Sequence, residues 1–165
     1  MIVVNDAMVL IHLAKAGLLE TSCDYFQQML IPPLVHHEVT RGGHADSIII
    51  VTLIRKKKIL VEKINQLHLI QQAKEFNIQR GEAEAVALYW ERRADLLATD
   101  DDNVRKKKHI LQLNIIGTPV IILKLYLEQK ITKERLNEAI LLLKRVGWFT
   151  STIWDKIQME VEQHE

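Results

Sequence analysis

Carboxylate side chains recur where apolar runs end or predicted helices begin. Asp6 follows the run MIVVN, and Glu38 lies about one turn into a predicted helix. The remaining acids open another predicted helix or follow the run LLAT: Glu82, Glu84, Asp100, Asp101 and Asp102. Such charges repel one another unless a cation offsets them, and hard divalent ions such as Mg²⁺ or Mn²⁺ prefer oxygen ligands. The residue types therefore indicate a divalent-metal site built from four chain segments.

Each of these acids also has a purely structural explanation. The helix dipole favours Glu82 and Glu84 in a first turn, and an acid after a strand is a common helix N-cap, which accounts for Asp6. Residues 100–102 fit a capped turn. Convergence of four segments favours a metal site over four unrelated caps. No glycine-rich loop follows the first apolar run, which argues against a dinucleotide-binding protein.

The elements that would position these acids are short β-branched runs alternating with longer helical stretches. Strands are predicted at residues 1–5, 29–31, 59–64, 96–99 and 114–116, whereas residues 48–54 fit a strand or a helix equally well. Helices are predicted at 10–18, 32–39, 66–76, 81–92, 120–129, 133–146 and around 153–161, with Gly42-Gly43 ending the second. This alternation predicts an α/β fold whose parallel sheet is covered on both faces, with ligands beyond the carboxyl ends of its strands.

Composition limits the class of protein. The chain has 165 residues, 48% of them hydrophobic, and a formal net charge of +1, which suits a single globular domain over residues 1–165. A polyanion would therefore have to meet a local basic patch. Cys23 is the single cysteine, and no apolar run approaches the roughly 18 residues needed to span a bilayer. A cytoplasmic protein without membrane contact is expected.

Two motifs close together carry a family resemblance. GEAEAVAL (residues 81–88) and ADLLATDD (94–101) resemble the toxin-like branch of prokaryotic PIN-domain ribonucleases. The opening VVNDAMVLIHLAKAGLLE (3–20), the segment IPPLVHHEV (31–39) and IIGTPVIILKLYLEQKIT (115–132) are similar to the same branch, so the resemblance covers nearly the whole chain.

The resemblance implies a three-layer α/β/α PIN-like fold with a parallel central sheet. It also implies a Mg²⁺- or Mn²⁺-dependent endoribonuclease whose partners are RNA, an antitoxin protein and a second copy of the chain. Helices within residues 132–163 would pack on the domain or form the dimer interface. Carried over position by position, the catalytic and metal-site acids would be Asp6, Glu38, Glu82 and Asp101, with Asp100 as an accessory ligand.

One position departs from the family pattern. A small hydroxyl residue usually stands two places after the first aspartate, and here that residue is Met8. A thioether cannot supply the hydrogen bond of a serine or threonine. This keeps open an alternative function, a catalytically inactive PIN-like protein that binds RNA or a partner protein.

Further residues bear on substrate binding. Of two basic runs, 55–58 and 105–108, the second begins four residues past Asp101, so Arg105 and Lys106 are the predicted RNA contacts. The tryptophans, Trp148 among them, lie in or beside apolar helical stripes and are expected to pack in the core or an interface. Glu82 and Glu84 are rotated by about 200° from each other on a helix, and the face of Glu82 borders the core, so Glu82 is the predicted ligand.

Overall fold

The described part of the computed structural model, residues 1–41 and 43–165, contains one five-stranded sheet. Its order is β3-β2-β1-β4-β5, and every pair of neighbouring strands is parallel. The strands are β1 (Ile2–Asn5), β2 (Gln28–Ile31), β3 (Ile59–Val61), β4 (Leu96–Ala98) and β5 (Ile115–Ile116). The predicted parallel α/β fold is confirmed. The expected helix break at Gly42 lies outside the described residues.

Helices connect these strands and cover the sheet on both sides. They are α1 (Ala7–Lys15), α2 (Leu19–Phe26), α3 (Pro33–Thr40), α4 (Ala45–Arg55), α5 (Leu67–Glu75), α6 (Arg80–Arg92), α7 (Asp102–Lys106), α8 (Thr118–Leu127), α9 (Lys133–Val146) and α10 (Ser151–His164). Among the residues described, no helix is long and apolar enough to cross a membrane.

Alternation along the strands divides the core into two clusters. Val3 and Val4 are adjacent in β1, but Val3 packs with helices α1, α2, α4 and α8, whereas Val4 packs with α5 and α6. Met29 and Leu30 of β2 divide in the same way. Because successive side chains of a strand point to opposite faces, this division shows that both faces of the sheet are buried. The arrangement is a three-layer α/β/α fold.

Three segments differ from the sequence-based prediction. The ambiguous stretch 48–54 is the helix α4, which buries Ile50 and Leu53 at a spacing of three residues. The helix predicted over 10–18 is α1, which begins earlier, at Ala7, and ends at Lys15; Gly17 then adopts a φ of 68°, and α2, which was not predicted, follows. The polar segment after β4 contains the short helix α7.

The two C-terminal helices pack on the same chain. Leu136 and Leu143 of α9 and Ile157 of α10 are buried in the cluster that contains Val3. Both helices contact α8, and α9 also contacts α1. Thr132 caps α9 by accepting a hydrogen bond from the Arg135 amide, as its sequence position predicts.

Candidate active site

The first and fourth strands bring two of the predicted acids together. Asn5 pairs with Ala98 in the parallel ladder of β1 and β4, and the Asp6 amide donates to the Ala98 carbonyl at 3.0 Å. The Thr99 hydroxyl donates to Oδ2 of Asp6 and accepts from the Asp101 amide at 3.1 Å. A single buried hydroxyl thus links Asp6 to Asp101, at the edge of the sheet where parallel folds bind ligands.

Asp6 is the most buried of these acids, with 3% of its surface exposed. Its Oδ1 accepts from the Val9 amide at 3.0 Å, so the side chain also caps α1. Burial raises the pKa of Asp6 from 3.8 to about 7, although the hydrogen bonds from Thr99 and Val9 oppose the change. The negative charges of Asp100 and Glu82 raise this pKa further. Burial of a carboxyl without a counter-cation thus disfavours its ionised form.

Asp101 begins the short helix after β4. Its Oδ1 accepts from the Val104 amide at 2.8 Å, which is the N-cap bond of α7. The side chain is partly exposed and lines the same cavities as Glu82. One carboxylate oxygen therefore fixes the position of Asp101, while the residue faces an open groove.

Glu82 and Glu38 meet where α3 crosses the first turn of α6. A Cβ atom added at Gly81 would lie 2.7 Å from Oε1 of Glu38, so glycine is what lets the Glu38 carboxylate approach α6 this closely. Burial raises the pKa of Glu82, and the negative charges of Asp101 and Glu38 add to that rise. Glu82 therefore lies within electrostatic range of Asp6, Glu38 and Asp101, which come from three other segments of the chain.

Glu84 is directed to a different place. Its Oε2 accepts from the Leu34 amide at 2.8 Å, at the N-terminal turn of α3. Glu84 lines a cavity with Lys74 and Arg80, while Glu82 lines the cavity with Asp101. The structure thus separates the two glutamates as their helical rotation predicts.

Asp100 is held by residues that the sequence analysis did not single out. Its Oδ2 lies 2.8 Å from Nδ1 of His12, and Oδ1 accepts from the Thr118 amide at 2.7 Å. The Thr118 hydroxyl also donates to Oδ2. His12 and Thr118 are buried, and no short motif joins them to Asp100, which is 88 residues from His12 and 18 from Thr118.

Glu82, Asp100, Asp101 and Asp102 line a groove of about 360 Å³ beside the loop between α9 and α10. Asp6 and Glu38 lie next to these acids but are not part of the groove wall. Met8 lies on the groove wall with 45% of its surface exposed. Position 8 carries no hydroxyl, but the Thr99 hydroxyl, which directly follows the neighbouring strand β4, donates a hydrogen bond to Asp6. Asp6 therefore accepts a hydroxyl hydrogen bond from Thr99, while Met8 supplies none to the groove.

A comparison with protein-family models agrees with this geometry. Residues 2–162 match the model of the family DUF3368, which is described as a PIN domain. The chain belongs to the PIN-domain family. PIN domains are generally nucleases, and PIN-domain nucleases generally use divalent metal ions. Searches of curated proteins and of solved structures gave no match.

The acids of this PIN domain have the donor chemistry that a divalent ion requires. Within the described ranges, no lysine or arginine forms an ion pair with Asp6, Glu38, Glu82 or Asp101. The donors are carboxylate oxygens, which suit Mg²⁺ and Mn²⁺. No three acidic, histidine or cysteine side chains among the residues described stand at ligand spacing from one another.

The two basic runs lie at opposite edges of the PIN-domain sheet. Residues 55–58 precede β3, at the edge away from the acids, and Lys58 there binds Glu20 and Asp24 at 3.0 and 2.8 Å. Arg105 of the second run lines a cavity that adjoins the acidic groove and a second cavity between α8 and α10. Lys106 is exposed on α7 and is not among the residues that line these cavities.

Proposed function

We propose that this PIN domain is a Mg²⁺- or Mn²⁺-dependent endoribonuclease that hydrolyses RNA phosphodiester bonds. The observation that carries the proposal is the cluster of acids at the groove, where Glu82 and Asp101 line the wall and Asp6 and Glu38 lie next to them. Four chain segments supply these acids, and none of the four is neutralised by an ion pair within the described ranges. Carboxyl groups gathered without a cationic side chain repel one another, and such an arrangement favours the binding of a cation.

The side chains divide into ligands and positioning residues. Asp6, Glu82 and Asp101 would hold the ion, with Glu38 beside Glu82. When bound, a divalent ion lowers the pKa of a coordinated water and offsets the charge of the scissile phosphate. Thr99 orients Asp6, and His12 with Thr118 orients Asp100. Arg105 stands on the adjoining wall, where it would bind a neighbouring phosphate.

Cleavage of single-stranded RNA in the presence of Mn²⁺ or EDTA tests this function. Asp101→Asn keeps a good N-cap for α7 but removes the charge, so we expect a folded protein whose cleavage falls by at least about 100-fold, that is, by about 2.7 kcal/mol or more. The matched control is Asp155→Asn, on an exposed position of α10. Equal cleavage by wild type and Asp101→Asn would assign the activity to a contaminant and overturn the proposal.

A non-cleaving PIN-like protein that binds RNA or a protein is the second candidate. Met8 supports it, because this side chain places a thioether on the groove wall in the position where the family usually has a hydroxyl. The same assay separates the two functions: RNA binding without Mn²⁺-dependent cleavage favours the second.

We extend the first proposal to a cytoplasmic toxin that forms a homodimer and is restrained by an antitoxin protein. The resemblance of the two sequence motifs to toxin-like PIN domains supports this extension. Induced expression should then arrest bacterial growth, whereas expression of Asp101→Asn should not. Growth arrest by both proteins would separate toxicity from the acidic groove, and sedimentation velocity would measure the oligomeric state.

A further inference from the structure

Trp148 is the most exposed large hydrophobic side chain of the described residues. Its relative exposure is 103%, although the sequence predicts a packed tryptophan. It lies in the loop between α9 and α10 and lines the groove that contains Glu82 and Asp101. An indole exposed at the rim of a charged groove is available to stack on a ligand that enters the groove.

The next residue anchors this loop. The Phe149 ring makes edge-to-face contacts with His12 and Trp154, at centroid distances of 5.5 and 5.6 Å. The ring also folds back on Gly147, where any added Cβ would overlap it. Phe149 thus fixes the loop to the His12 side of the acidic site. Trp148, adjacent in sequence, is held outside the fold.

A charged surface continues from Trp148 towards α8 and α10. Trp148, Arg105 and Lys156 line one cavity, which Asp100 and Asp102 also border. Arg105 and Lys156 line a further cavity of about 390 Å³ between α8 and α10. Lys156 is exposed and forms no ion pair within the described ranges. Glu160 lies in the further cavity. In the cavity next to Trp148, Asp100 is already bonded to His12 and Thr118, and neither cation forms an ion pair within the described ranges.

We propose that Trp148, Arg105 and Lys156 form a binding subsite for an unpaired nucleotide of the RNA strand. Trp148 stacks on the base, and the two cations contact the adjoining phosphates. Stacking on an aromatic face needs a base outside a duplex, so the subsite selects single-stranded RNA. The combination of an exposed ring with two cations favours a nucleotide over an apolar protein segment. This inference rests on the proposed function, since it places the strand across the same groove.

RNA binding without cleavage tests the subsite. The probe is a labelled single-stranded oligouridylate of about twelve nucleotides, within the site sizes usual for such proteins, measured by fluorescence anisotropy in EDTA. Trp148→Ala should raise Kd about tenfold, as expected for one lost stacking contact, and Trp148→Phe should retain most of the affinity. Trp148 is fully exposed, so neither variant should change the unfolding temperature.

A chain of the same length without bases isolates stacking from phosphate contacts. Wild type and Trp148→Ala should bind this base-free chain equally, because it offers the indole nothing to stack on. Lys156→Glu should lower the affinity for both probes. It should also reduce the slope of log K against log salt by about 0.7 per lost phosphate contact. Lys130→Glu, exposed beyond the other end of α8, is the matched control and should leave the slope unchanged.

Three results would overturn the proposed subsite. In the first, Trp148→Ala binds the oligouridylate as tightly as wild type does. In the second, it loses affinity for the oligouridylate and for the base-free chain by the same factor. In the third, it converts a dimer to a monomer with RNA binding unchanged, which would assign the indole to a protein interface. The proposed function is tested separately. If Trp148→Ala weakens binding of the oligouridylate but the protein shows no Mn²⁺-dependent cleavage, the subsite stands and the nuclease function is excluded. If the protein cleaves RNA but Trp148→Ala has no effect on binding, the nuclease function stands and the subsite is excluded.

Discussion

At the scale of single residues, Asp6 links stability to metal binding. Its raised pKa means that the folded protein keeps this proton to a higher pH than the unfolded chain does. The free energy of unfolding therefore falls as the pH rises from about 4 to about 7. Above that range Asp6 is ionised in both states, so it causes no further change with pH. A bound divalent ion favours the ionised carboxylate and so opposes the loss.

Asp6→Asn should remove this pH dependence. Asparagine still caps α1 and can bond to Thr99, but it cannot ionise. In EDTA the variant should be more stable than wild type at about pH 8, by up to about 4 kcal/mol, and the difference should shrink towards about pH 5. Denaturant unfolding at both pH values measures it. Mn²⁺ should stabilise wild type more than the variant, and parallel pH profiles of the two proteins would contradict this account of Asp6.

Glu82 and Glu84 provide a matched pair on one helix. Glu82→Gln should abolish Mn²⁺-dependent cleavage without unfolding the protein, since Glu82 lines the groove with Asp101. Glu84→Gln should retain cleavage and lose less than about 1 kcal/mol of stability, because its contact is with the N-terminus of α3. Loss of cleavage in the second variant with retention in the first would reverse the assignment.

The rotation of a helix made this distinction predictable from sequence. The hydrogen bonds of Asp100 and Thr99 were not predictable in the same way. His12 lies 88 residues from Asp100, and Thr99 lies 93 residues from Asp6, so only the pairing of β1 with β4 brings these side chains together.

At the scale of elements, helices with a long amphipathic repeat were predicted correctly, whereas short elements with few buried residues were missed or given wrong bounds. α9 has a threonine cap and a long amphipathic repeat, and its observed bounds match the prediction. α2 was missed because its buried face includes Ser22 and Cys23, which interrupt the apolar repeat. α7 buries only Val104 and is too short to show a period. β3 ends at Val61, earlier than predicted, because only Ile59 of this edge strand is buried.

The crossing of α3 and α6 gives a prediction about Gly81. Gly81→Ala should place a methyl group against the Glu38 carboxylate, which must then move away. Alanine favours the helix by up to about 1 kcal/mol, so the variant should fold and remain as stable as wild type within that amount. Its Mn²⁺ affinity, measured by calorimetry, should nevertheless fall.

A double-mutant cycle tests whether this effect passes through Glu38. In a Glu38→Gln background the loss of Mn²⁺ affinity caused by Gly81→Ala should largely disappear, because the displaced carboxylate is already neutral. Additive losses would show that Gly81→Ala acts on the groove by another route.

At the scale of the whole molecule, the fold concentrates charge that composition averages out. The net charge is +1, yet the carboxyl edge of the sheet carries acids in its groove and cations on the adjoining wall. The basic run 55–58 directly precedes β3 and so lies at the amino-terminal end of that strand, away from the groove. Parallel strands of one sheet place all their carboxyl ends together, and this topology gathers residues from Asp6 to Lys156 around one groove.

Crystals soaked in Mn²⁺, with anomalous diffraction recorded at the manganese edge, test the central claim most directly. The account predicts an anomalous peak in the acidic groove, with carboxylate oxygens of Asp6, Glu82 and Asp101 as ligands or one water removed from the ion. Glu84 should stay on the Leu34 amide. Manganese bound only outside this groove, or no peak at a concentration that supports cleavage, would contradict the metal-dependent function proposed for this PIN domain.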